Sequence, residues 1–94
     1  MTATALVSAL DRPRPARHVR LTWSRARRAP VLLLPETVVV LNGSGVEIFR
    51  LCDGTRTVRQ IVDELGTRYR GVREDEVRRF LTGLVARRCV ELAR

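Results

Sequence analysis

The 94-residue sequence contains no lysine, one histidine, two cysteines and only four aromatic residues, Trp23, Phe49, Tyr69 and Phe80. Few aromatics mean that any core is built mainly from aliphatic side chains. No apolar run approaches the roughly 20 residues of a membrane helix, and the longest are Val31–Leu34 and Val38–Leu41. No membrane association is expected. The N-terminus lacks a basic segment followed by a long apolar stretch, so it does not read as a secretory signal. Cys52 and Cys89 stand far apart and outside any CxxC pattern. They read as buried reduced thiols, which points to a cytoplasmic setting.

Catalytic chemistry is also thinly provided. His18 is the only imidazole and stands at the edge of the patterned region. Two cysteines and one histidine without close spacing do not make a zinc site. The carboxylates at Glu74, Asp75 and Glu76 read as the start of a helix, where the dipole favours anions. Gly43-Ser44-Gly45 lacks the lysine of a phosphate-binding loop. The expectation is a chain that is not an enzyme by itself and carries no cofactor or metal.

All eighteen basic residues are arginine, and the formal net charge is +8. The charge is unevenly placed. Residues 1–28 hold seven arginines against Asp11, whereas residues 29–94 hold eleven arginines against nine acids. Such a basic excess attracts polyanions without sequence preference, and the nearly balanced remainder argues against specific nucleic-acid binding.

Residues 1–17 combine a short apolar stretch with Asp-Arg-Pro-Arg-Pro-Ala-Arg. The two prolines favour extended chain, and the segment reads as a flexible arm ahead of a domain over 18–94. From His18 the pattern alternates, with Val19, Leu21 and Trp23 on one face. Val31–Leu34 and Val38–Leu41, separated by Pro35-Glu36-Thr37, predict a hairpin with a loop of three to five residues. The period then changes to that of a helix. Residues 44–52 form a first helix, capped by Asn42 or Ser44 and ended by Asp53-Gly54. Thr57-x-x-Gln60 is a capping box for a second helix carrying Val58, Ile61, Val62, Leu65 and Tyr69. A third runs from about Glu74, with Val77, Phe80, Leu81, Leu84 and Val85 at helical spacing. Three antiparallel strands followed by three helices make an α+β module.

One segment stands out as a binding feature. Thr37, Val38, Val39, Val40 and Leu41 have high strand propensity and include no charge, glycine or proline. Natural edge strands are usually blunted by such residues, because their open N–H and C=O groups recruit other strands. As an edge, this strand would accept an extended peptide as its next neighbour. As a central or covered strand it would be ordinary core. The third helix offers a companion surface: Val77, Phe80, Leu81, Leu84 and Val85 form a stripe wide enough to pack on the core and to line a groove. Val77, Leu81 and Leu84 are the core members, and Phe80 and Val85 the less secure ones. An unprotected edge would also pair with a second copy, so self-association is a further expectation.

The runs His18-Val19-Arg20-Leu21-Thr22-Trp23, Val31-Leu32-Leu33-Leu34-Pro35-Glu36 and Val40-Leu41-Asn42 occur in order ahead of Leu51-Cys52-Asp53-Gly54-Thr55-Arg56-Thr57-Val58 with Ile61-Val62. Together they resemble the PqqD family of pyrroloquinoline quinone biosynthesis over about residues 16–92. Ser44-Gly45 stands where that family usually has Thr-Ala, and Cys89 where a glycine usually ends the third helix. The resemblance implies a peptide chaperone with the winged-helix-like fold of leader-peptide recognition domains. It implies binding of the ribosomal precursor peptide PqqA as a strand on 37–41 against the helix over 77–85. It also implies presentation to the radical-SAM enzyme PqqE, to which the iron–sulfur clusters and S-adenosylmethionine would belong. Two other classes compete. A winged-helix DNA-binding protein would use Arg78, Arg79, Arg87 and Arg88 on phosphates, with Glu74–Glu76 against it. The remaining class is a structural subunit of a larger enzyme.

Overall fold

The computed structural model describes residues 6–93. Strands β1 (Arg12–Pro15), β2 (Arg20–Ser24), β3 (Ala29–Leu33) and β4 (Val38–Val40) precede helices α1 (Gly43–Arg50), α2 (Val58–Gly66) and α3 (Glu74–Ala86). A last strand, β5 (Val90–Ala93), closes the order. β2, β3 and β4 form an antiparallel sheet in that order, and β1 pairs antiparallel with β5 in a second, two-stranded sheet. This is the expected α+β arrangement with one small sheet added.

Local chemistry accounts for the helix ends. Asn42 Oδ1 accepts from Gly45 N at 2.6 Å and caps α1. Thr57 and Gln60 exchange their capping-box bonds at 2.8 and 3.1 Å. Arg73 stands at the N-cap of α3 without a side-chain bond, and Glu74, Asp75 and Glu76 fill the first turn beside it. Between α1 and α2, Asp53 organises the turn. Its carboxylate accepts from Thr55 N, Thr55 Oγ1, Arg56 N and the Arg56 guanidinium. The backbone N–H groups of Thr55 and Arg56 hold its pKa at about 2. Gly54 follows with φ of 82°, a left-handed conformation that glycine adopts without a Cβ penalty.

Helices and sheet share one aliphatic core in which Leu32, Ile61 and Leu81 are fully buried. Burying each such side chain contributes about 1.5–3 kcal/mol. Val39 and Leu41 enter the core from the strand that leads into α1, while Val19 and Leu21 pack at its edge. Trp23, expected beside them, is 61% exposed. Tyr69 lies beyond the end of α2 and is half exposed.

The expectation of a free arm over 1–17 is corrected by residues 6–15; residues 1–5 of that segment lie outside the described residues. Val7 is 4% exposed and belongs to the core. Its N–H donates to Thr82 Oγ1 at 2.9 Å, and its carbonyl accepts from Arg78 Nε at 2.6 Å. Ala9 and Asp11 carbonyls accept the N–H groups of Arg59 and Val58 in the first turn of α2. These are donors that a helix cannot satisfy internally. β1 then pairs with β5, placing Pro13 opposite Leu92. Proline is tolerated in such an edge strand, so the prolines permit the pairing without revealing it.

Candidate peptide-binding site

β4 pairs with β3 alone and is an edge of its sheet. Two bonds fix which of its groups are free. Leu34 N–H donates to Thr37 O and Leu41 N–H donates to Pro30 O. Bonded and non-bonded pairs alternate in an antiparallel ladder. Val39 is therefore in the hydrogen-bonded pair with Leu32, while Val38 and Val40 are in non-bonded pairs with Leu33 and Val31. The N–H and C=O groups of Val38 and Val40 point away from β3, to the open side. The Val39 side chain is buried, whereas Val38 and Val40 are 39% and 52% exposed. Thr37 is exposed at the turn, and Leu41 is a core residue.

The five residues singled out on α3 divide differently. Val77, Leu81 and Leu84 are buried core members, and only Phe80 and Val85 are partly buried. At 100° per residue, Phe80 and Val85 stand about 140° apart around the helix, on opposite flanks of the buried stripe. Phe80 faces the first turn of α1, which begins just after β4: its ring packs against Gly45. Val85 lies on the flank of Arg78 and Thr82, where Val7 docks. The structure thus brings Phe80 to the end of β4 and does not bring Val85 there.

Beside Phe80 opens a cleft of about 1040 Å³ between the start of α1, the α2–α3 loop and one end of the three-stranded sheet. Trp23, Tyr69 and Phe80, three of the four aromatic residues of the chain, contribute to its lining with Pro30, Val46 and Val72. This cleft was not legible in the sequence. Its lining comes from segments as far apart as Trp23 and Phe80, so no local pattern announces it.

The reactive groups are otherwise engaged. Cys52 is buried among core residues and donates to Ile48 O, and burial, reinforced by Asp53, pushes its thiol up to about 12. Burial raises the Cys89 thiol as well, against the opposing effect of Arg87. Among the described residues no group of three or more His, Cys, Asp or Glu is placed to hold a metal ion. Among them, too, no helix is long and apolar enough to cross a membrane. Arg78, a candidate phosphate contact, is directed onto the Val7 carbonyl instead.

Residues 30–90 match the family model described as coenzyme PQQ synthesis protein D (PqqD). A PqqA binding protein of Rhodopseudomonas palustris is 43% identical over 63 residues, 67% of this chain and 62% of the relative. The match thus spans less than two thirds of that relative's length. A PqqA binding protein of Stutzerimonas stutzeri is 42% identical over 79 residues, 81% of this chain and 85% of the relative. Among solved structures, the solution NMR structure of the PqqD truncation of Methylobacterium extorquens PqqCD matches with a TM-score of 0.73 and 36% identity. It is described as a functional, stand-alone recognition element for ribosomally synthesised and modified peptides, and the match covers 94% of this chain and 96% of that one. The chain belongs to the PqqD family.

Proposed function

We propose that this chain is a peptide chaperone of pyrroloquinoline quinone biosynthesis that binds PqqA as an added strand on β4 and presents it to PqqE. The observation that carries the reading is the unpaired edge of Val38 and Val40, whose backbone groups face away from β3 in a chain of this family. A peptide strand there exchanges backbone bonds with Val38 and Val40, while side chains supply selectivity. Continuing past Leu41, the peptide reaches Phe80 and the aromatic-lined cleft, which takes a large apolar side chain. Relatives named for PqqA binding support the ligand. A relative named as a bifunctional coenzyme PQQ synthesis protein C/D supports work beside other steps of the same synthesis.

In this reading the chain holds its peptide in the cytoplasm and does no bond chemistry. The bond-forming step belongs to PqqE. Calorimetric titration with synthetic PqqA should give saturable binding of one peptide per chain. Mass spectrometry should find the peptide unchanged until PqqE is added. Absence of saturable PqqA binding, or a covalent change made by this chain alone, would overturn the proposal.

A further inference from the structure

Side chains on the three-stranded sheet alternate between two faces. The outer face, opposite Leu32 and Val39, carries Arg20, Thr22, Val31, Leu33, Val38 and Val40, and of these Val31 is buried, at 1% exposed. Leu33, Val38 and Val40 are 37%, 39% and 52% exposed. They are contiguous, because Leu33 pairs directly with Val38 and Val40 lies two residues further along the same face. Adjoining large apolar side chains on a surface mark an interaction site more often than solitary ones do.

The charge around this patch is mainly basic, with Glu36 of the β3–β4 turn the one acid beside it among the described residues. Arg20 is the cross-strand neighbour of Leu33 at one end. Arg25, Arg27 and Arg28 occupy the β2–β3 turn beyond the other end. No carboxylate occurs between Asp11 and Glu36. Among the described residues, none of these four arginines forms an ion pair.

An apolar centre with arginine at its rim is the composition of a protein-docking surface. A phosphate-binding surface would carry its cations across the middle. A second copy of this face is a poor occupant, because stacking it on itself sets arginine against arginine. The face also continues the β4 edge. A strand added at Val38 and Val40 lies about 4.8 Å further out and turns alternate side chains onto this same face.

We propose that the outer face, centred on Leu33, docks a folded partner through an apolar patch rimmed by carboxylates, and that this partner is the peptide-modifying enzyme. The inference rests on the strand-addition reading and names the partner's surface. Chain and bound peptide would meet the enzyme as one composite face. Peptide and enzyme then strengthen each other's binding, since such coupling is reciprocal.

The test uses the full chain, PqqA and PqqE, with two variants outside the peptide edge. Leu33→Thr keeps strand propensity and removes the apolar centre. The double variant Arg25→Glu/Arg27→Glu reverses rim charge on an exposed turn, so it remains informative should Leu33→Thr fold poorly. Both should bind PqqA as the parent does, by calorimetry. Affinity for PqqE in the presence of PqqA should fall about fivefold for Leu33→Thr. It should fall about tenfold for the double variant, which should also lose most of its salt sensitivity. If folded variants bind PqqA and PqqE as tightly as the parent, the docking face is wrong and strand addition survives. If the parent itself does not bind PqqA, both readings fail. A parent dimer that Leu33→Thr dissolves in sedimentation would make the face a self-contact, and a duplex DNA that displaces PqqE from it would make it a phosphate surface. Either result overturns the proposal.

Discussion

The ring of Phe80 occupies the space that a side chain on Gly45 would need: a Cβ there would stand 2.9 Å from the ring Cζ and 3.0 Å from Asn42 Oδ1. Glycine in a helix normally costs about 1 kcal/mol against alanine, and here that cost is offset by seating Phe80 against the turn that follows β4.

The first prediction is a coupling between these two residues. Gly45→Ala should destabilise the parent by about 1–2 kcal/mol, because the ring and the Asn42 cap must both give way. In a Phe80→Ala background the opposing ring is absent, and the same substitution should cost less or stabilise by up to about 1 kcal/mol. Urea unfolding of the four proteins in a double-mutant cycle checks this; additive effects would show that the contact carries no energy.

A second prediction concerns the N-terminal segment. Val7→Ala should cost about 1–2 kcal/mol of stability through lost burial. Deleting residues 1–11 should cost more, because it also strips the Val58 and Arg59 N–H groups of α2 of their acceptors. Thermal unfolding by circular dichroism measures both. A deletion without effect would restore the free-arm reading.

Much of the fold is written in short-range chemistry. The Thr57–Gln60 box, the Asn42 cap and the acidic first turn of α3 are each set by a few neighbouring residues, and each appears where the sequence places it. Helix α1, by contrast, ends at Arg50, ahead of the Asp53-Gly54 break expected to stop it. The β1–β5 pair is different. It joins segments more than seventy residues apart, and its local cues, Pro13 and Pro15, point to unpaired chain. The edge at 37–41 was legible as unprotected composition. Which of its residues face outward was not, since that parity depends on the register with β3. The α3 stripe was legible as apolar, but its period sends Phe80 and Val85 to different neighbours, and only the packing of Val7 and Gly45 reveals which.

The third prediction is chemical. The Cys52 thiol, pushed up to about 12, stays protonated near neutrality and should resist iodoacetamide at pH 8 in the folded protein. Denaturant should restore its reactivity. Prompt alkylation of Cys52 under native conditions, read by peptide mass mapping, would contradict its placement in the core.

Asp53 supplies a pH dependence. Its folded pKa of about 2 lies below the ordinary carboxylate value, so its contribution is present above about pH 4 and is lost as pH falls towards 2. Because the group is solvent-exposed, screening reduces that contribution to about 1 kcal/mol. The stability difference between parent and Asp53→Ala should be constant near neutrality and shrink across that acidic window. A difference independent of pH would assign the loss to something other than the carboxylate.

The parity of β4 makes its own mutational prediction. Val39→Pro removes a ladder donor on the β3 side and should damage the fold. Val38→Pro removes an outward donor, so it should stay folded yet weaken PqqA binding by about 1–3 kcal/mol. Calorimetry with circular dichroism separates the two effects. A folded Val38→Pro variant that binds PqqA as the parent does would argue against backbone pairing at that residue.

Strand addition on β4 is tested most directly by amide hydrogen exchange of the labelled chain with and without PqqA. The Val38 and Val40 amides, which point to the open side, should become strongly protected in the complex. The Val39 amide, already bonded to β3, should change little. Protection that leaves Val38 and Val40 exchanging as in the free chain, with PqqA demonstrably bound, would contradict strand addition.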